Sequence, residues 1–151
     1  MKTHSFTADY TFGKSSEKFC LKILSKFSST PLKQCDDPFS PWDFESEEVL
    51  IELKSRIGVS STTYNDTIIN YRKIMRAAAD TTGRRILFAF KFDDGIFIIE
   101  YDAEEFEKYE IRMIQARHRT DRREHLTPHI LIPVKDMFCI KKFQTIRLIL
   151  T

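Results

Sequence analysis

Two apolar runs separated by three turn-forming residues constrain this chain more than any other feature. Arg85–Phe92 and Ile96–Tyr101 are rich in Ile and Phe, and Asp93-Asp94-Gly95 lies between them. Such runs around a Gly-containing turn predict a β-hairpin. Other short runs extend the pattern. Trp42–Glu45 reads as a short strand, and a second strand opens at Glu47 or Glu48 and runs to about Arg56. His129–Val134 and Met137–Ile140 also read as strands, with Pro133 favouring an edge or a bulge. The apolar tail 143–150 is expected to pack back on the domain.

Helical spacing occurs twice. From Ser15 to Phe27, the residues Phe19, Cys20, Ile23, Leu24 and Phe27 fall on one face. Lys14, Lys18, Lys22 and Lys26 fall opposite, and Glu17 sits at the apolar boundary. A second helix is expected from Asn65 or Thr67 to Asp80, with Gly83 as its stop signal. On its wheel Arg72, Lys73 and Arg76 share one arc, next to Ile68, Tyr71, Met75, Ala78 and Ala79. The segment 28–41, with its three prolines, reads as loop. Residues 103–125 are charged and end in a basic stretch. The order α, ββ, α, ββ, β suits an α+β or α/β arrangement around a mixed central sheet.

The 151 residues suffice for one domain, residues 1–151, with one core. A hydrophobic fraction of 42% argues against disorder. The thirteen phenylalanines are scattered among the β-prone runs, so most are expected in the core. Cys20, Cys35 and Cys139 are odd in number and show no CxxC spacing, which speaks against a zinc ribbon or a disulfide framework. No apolar run resembles a signal peptide or approaches the ~20 residues of a membrane helix. The expectation is a soluble intracellular protein with no membrane partner. A net charge of +2 permits nucleic-acid contact without indicating it.

The chemistry lies in EVLIELKSR, residues 48–56. As a strand, it sends Val49, Ile51 and Leu53 to one face and Leu50, Glu52, Lys54 and Arg56 to the other. Successive members of the second set stand ~7 Å apart. A bend between Glu45 and Glu48 would bring Asp43 beside Glu52. Two converging carboxylates form an oxygen-rich site suited to Mg²⁺, with Mn²⁺ able to substitute, and the carbonyl of Leu53 is a further candidate ligand. Lys54 would orient or activate an attacking water or neutralise transition-state charge. The bland alternative is the solvated face of an ordinary antiparallel strand, which alternates in the same way.

Asp43 followed by Glu52-Leu53-Lys54, with Pro41-Trp42 upstream, resembles the signature of the PD-(D/E)xK (restriction-endonuclease-like) nuclease superfamily. One residue is inserted between Pro and Asp. The likeness is strongest over residues 42–56, and small single-domain viral and phage members are the nearest in character. It implies an αβββαβ core and metal-dependent hydrolysis of nucleic acid, DNA favoured over RNA. Asp43 and Glu52 would bind metal, Lys54 would assist the water, and Glu17 on the N-terminal helix would supply a further acidic group. If the source is a virus, the cytoplasm or nucleus of its host is the implied location. Alternatives are a cap-snatching-type RNA endonuclease, or a non-catalytic module on the same fold that binds nucleic acid or protein. A homodimer is compatible with either.

Basic residues outside the signature supply candidate phosphate contacts: Arg56, Arg72, Lys73 and Arg76, then Arg117, Arg119, Arg122 and Arg123. A solvated face accounts for them equally well. Tyr64 is a candidate for stacking on a base or sugar, with core packing as its alternative. His118, His125 and His129 invite a zinc or HNH-type reading, but no Cys lies nearby and the first spacing fits no known motif. The chain has no Gly-rich phosphate loop and no GxSxG elbow.

Overall fold

The computed structural model describes residues 17–115 and 126–144. Its fold is α+β and is built on two sheets. The larger has six strands in the order β1 (Lys33–Gln34), β2 (Phe44–Glu45), β3 (Val49–Ser55), β5 (Arg85–Phe92), β6 (Gly95–Glu100) and β9 (Phe138–Lys142). Only β3 and β5 run parallel, with Glu52 opposite Phe88 and Lys54 opposite Phe90. Every other neighbouring pair is antiparallel. The smaller sheet is antiparallel, in the order β4 (Asp66–Asn70), β8 (Leu126–Pro133) and β7 (Ile111–Gln115).

β3 and β5 are buried on both faces, which explains their nearly unbroken apolar sequences. Val49, Ile51, Leu53, Leu87 and Ala89 face a helix of residues 17–24 (α1), whose Cys20 and Leu24 are fully buried. Leu50, Ile86, Phe88, Phe90 and Phe92 face the opposite way. They pack on Ile74 and Ala77 of α2 (Tyr71–Ala79), on Phe106 of α3 (Ala103–Phe106), and on Ile69, Ile130 and Ile132 of the small sheet. Burial of this kind stabilises by about 25 cal/mol per Å² of apolar surface. Phe44, Phe88, Phe90, Phe92 and Phe106 are in these cores, whereas Phe19, Phe39 and Phe138 are exposed. No helix among the described residues is long and apolar enough to cross a membrane.

Several expectations need correction. Residues 66–70 are strand, not the first turn of a helix. Thr67, Ile68 and Ile69 are β-branched in a row, which favours extended backbone, and they pair with Ile132, Leu131 and Ile130. The helix starts only at Tyr71, where the Asn70 side chain accepts from Arg72 N–H at 2.9 Å. Starting there turns its wheel. Ile74 and Ala77 are buried, and Met75, expected in the apolar arc, is 58% exposed. Pro133 ends β8, which is the central strand of its sheet and not an edge. Residues 33–34, read as loop, form β1.

The hairpin is confirmed, with one change of role. Asp93-Asp94 make the turn, and Gly95 already belongs to β6. Its backbone lies so close to β9 that an added Cβ would stand 2.4 Å from the Lys141 carbonyl oxygen. Gly58 differs: its φ of +75° is a left-handed conformation, with open space around it. Gly95→Ala should therefore separate β9 from β6 and lower stability by about 1–3 kcal/mol through overpacking, whereas Gly58→Ala should cost only about 1 kcal/mol from backbone strain. Urea denaturation midpoints of the two variants check this order.

Candidate active site

The site begins with a tight turn. β2 and β3 are joined through Ser46–Val49, where Ser46 N–H donates to the Val49 carbonyl at 2.9 Å. The Ser46 hydroxyl accepts from the N–H groups of Glu48 and Val49. The Glu48 carboxylate accepts from Thr30 N–H at 3.0 Å, from the Ser29 hydroxyl at 2.6 Å, and from Ser29 N–H. The Ser29 hydroxyl, followed by Thr30 N–H, leads the interactions that pull its pKa down to about 2. Glu48 thereby pins the loop after α1 to the turn.

Beyond Phe44 the ladder is irregular. Phe44 pairs with Ile51 and Glu45 with Leu50, yet Asp43 N–H also donates to the Ile51 carbonyl at 2.9 Å. The strand gains a residue relative to its partner there, as in a β-bulge. The next donor, Leu53 N–H, is taken by Asp43 Oδ2 at 2.7 Å. The local slip thus turns the Asp43 carboxylate toward the β3 backbone and the charge of Glu52. Leu53 enters the site through this N–H.

Glu52 is 3% exposed. A solvated strand face is therefore overturned for this residue: the polar side of β3 is covered by α2 and the small sheet. Its Oε1 is 3.0 Å from Lys54 Nζ and 3.1 Å from Lys73 Nζ. Lys73 Nζ also stands 3.5 Å from the Pro41 carbonyl oxygen. Glu17, 9% exposed on α1, shares a hydrogen bond with Asp43 and accepts from Gln34 Nε2 at 2.7 Å. Three carboxyl groups thus converge, and two ammonium groups meet one of them, Glu52.

The electrostatic consequence falls on Asp43. Burial comes first and the charge of Glu52 second in pushing its pKa up to about 8; the Leu53 N–H opposes the rise, and Glu17 adds to it. Among the described residues, no three His, Cys, Asp or Glu side chains form a ready-made metal-ligand group. The donors that converge are carboxylate oxygens, the type that Mg²⁺ and Mn²⁺ prefer, and a carboxyl group kept protonated by burial and by its acidic neighbours is one that a cation would relieve.

The other candidate residues are dispersed. The Arg56 guanidinium is tied to the small sheet. Its Nε donates to Thr67 Oγ1 at 3.2 Å and its Nη2 to the Ile68 carbonyl, and it lies 5.8 Å from the Phe90 ring centre. Burial pulls its pKa down. Arg72 and Arg76 are exposed on α2, so of the basic arc only Lys73 enters the cluster. Tyr64 is 64% exposed, which excludes core packing; with Arg56, Asp66 and Thr67 it lines a cavity of about 340 Å³. Arg117, Arg119, Arg122 and Arg123, like His118 and His125, lie outside the described residues. Gln34, which holds Glu17, was not anticipated. It sits in a strand of two residues with no pattern of its own.

Compared with known proteins, the chain matches no family model and no curated protein sequence.

The raised Asp43 pKa has a definite sign for stability. The folded protein holds this proton up to about pH 8, whereas an unfolded Asp releases it near pH 3.9. Between those values the folded state binds more protons, so stability is fullest at the acid end and falls as pH rises. Metal-free protein should lose stability from about pH 4 to pH 8, and Asp43→Asn should flatten that slope. Denaturant unfolding in EDTA across this range is the measurement; an identical slope in the variant would contradict the assigned pKa.

Proposed function

We propose that the protein is a metal-dependent nuclease that hydrolyses phosphodiester bonds of nucleic acid, DNA in preference to RNA. One observation carries the reading. Asp43 and Glu52 interact electrostatically across the β2–β3 junction, with Glu17 on Asp43 and Lys54 on Glu52. This matches, residue for residue, the acidic and lysine positions of the PD-(D/E)xK signature. The chain order adds support: α1, β1, β2, β3, α2 and β5 run α-β-β-β-α-β, with β4 inserted before α2.

In this reading Asp43 and Glu52 hold Mg²⁺ or Mn²⁺, with the Leu53 backbone at the same point of β3. The ion supplies positive charge at the scissile phosphate and a lowered pKa for water. The protein's own groups do the rest. Asp43 would serve as a ligand in its ionised form, its proton lost to solvent, and Leu53 N–H keeps its carboxylate oriented. Glu17, held by Gln34, would orient the attacking water. Lys54, 35% exposed, extends from the buried Glu52 toward solvent, where its ammonium can neutralise charge developing on phosphate. A non-catalytic nucleic-acid-binding module is the second reading. It is favoured by the internal pairing of the cluster, in which no described buried side-chain polar atom lacks a partner.

Two measurements separate these readings. Purified protein is incubated with single-stranded, double-stranded and branched DNA and with RNA, in Mg²⁺, Mn²⁺ or EDTA. Cleavage should require metal, and Lys54→Ala should reduce it by about 10²-fold or more with unchanged circular dichroism. In thermal melts, Mn²⁺ should raise the melting temperature of wild type by mass action, and Glu52→Gln should abolish the shift. Metal-independent melts and no cleavage of any substrate would favour the non-catalytic module.

A further inference from the structure

Glu52 Oε1 is approached by two ammonium groups that are not equivalent. Lys54 belongs to the same strand, two residues on, and its backbone is fixed in the parallel ladder. Lys73 arrives from α2 and reaches Glu52 through its flexible four-carbon stem. Its other contact, the Pro41 carbonyl at 3.5 Å, is at the outer limit of a hydrogen bond. The Lys73 charge therefore sits between a carboxylate on β3 and a backbone oxygen two residues before Asp43. These are hard oxygen atoms from the two segments that carry the proposed metal ligands, so a +1 charge stands where a divalent cation would serve.

We propose that Lys73 is a displaceable internal counter-cation: it neutralises Glu52 in the metal-free protein, yields when a divalent ion enters, and then contacts a phosphate of bound nucleic acid. This rests on the nuclease reading of the same site. A divalent ion beside Glu52 would meet two ammonium groups about 3 Å from the same oxygen, and like charges at that spacing repel. In the nuclease reading Lys54 stays as the signature lysine, so Lys73 is the one that yields. Its helix already displays exposed Arg72 and Arg76, so the released ammonium joins a cationic surface suited to a phosphate backbone. Entry of the ion and grip on the substrate become one exchange of partners.

The test uses the full chain, with Lys73→Ala, Lys73→Arg and Glu52→Gln. Mn²⁺ binding is measured by calorimetry without nucleic acid. Affinity of a single-stranded DNA oligonucleotide is then measured against salt, in EDTA and in Ca²⁺. Lys73→Ala should bind Mn²⁺ about tenfold more tightly, equivalent to about 1.4 kcal/mol, and Lys73→Arg should stay near wild type. In Ca²⁺, Lys73→Ala should lower the slope of log affinity against log salt by about 0.7, one single-strand phosphate contact. In EDTA it should leave the slope unchanged. Glu52→Gln should give that extra contact in EDTA, because the lysine is already released. Wild-type Mn²⁺ affinity in Lys73→Ala, or the same slope change with and without Ca²⁺, overturns the exchange while leaving the metal site standing. Absence of Mn²⁺ binding in both wild type and Lys73→Ala overturns the metal site and the exchange with it.

Discussion

Placing a carboxylate against a hydrophobic core costs several kcal/mol unless nearby charges and donors answer it. Glu52 is in that position. It is 3% exposed on a strand whose neighbours Ile51 and Leu53 are core. Two lysines answer it directly, one from its own strand and one from α2. Asp43 answers it differently, by keeping a proton at neutral pH. With that proton in place, one negative charge fewer stands beside Glu52, and the helix and the small sheet can close over the polar side of β3 at less cost.

The same compensation explains why β2 departs from regular pairing. A regular ladder would give Leu53 N–H a backbone acceptor. The extra residue at Asp43 removes that option and puts a carboxylate oxygen in its place at 2.7 Å. That bond is among the few influences favouring the ionised form of Asp43, against burial and two acidic neighbours. The irregularity fixes both the direction of the side chain and the balance of its proton.

Much of the arrangement was legible in the sequence because it follows from alternation along a strand. EVLIELKSR specified β3 and the shared face of Glu52 and Lys54, and the β-prone runs flanking Asp93-Asp94 specified the central hairpin. Period alone could not place Glu52 in the interior, since a solvated face and a covered one alternate identically. Coverage depends on β4, and β4 was read as helix because Ile68 and Tyr71 fit a helical period as well as a strand followed by a cap. Once the helix starts at Tyr71, Lys73 turns to Glu52 and leaves Arg72 and Arg76 outside. Gln34 was out of reach for a simpler reason. A two-residue strand exists only through its pairing with β2, and pairing across a proline-rich loop leaves no local signal.

The Arg56 contacts have a mechanical meaning. Arg56 follows β3 directly, and its guanidinium fastens to Thr67 and Ile68 on the small sheet while lying against Phe90 of the large one. One rod therefore bears the acid and the lysine along its length and a rivet at its tip. A small sheet riveted there is tied to the strand that bears the carboxylate, so a tilt of that sheet would load β3 rather than a loop.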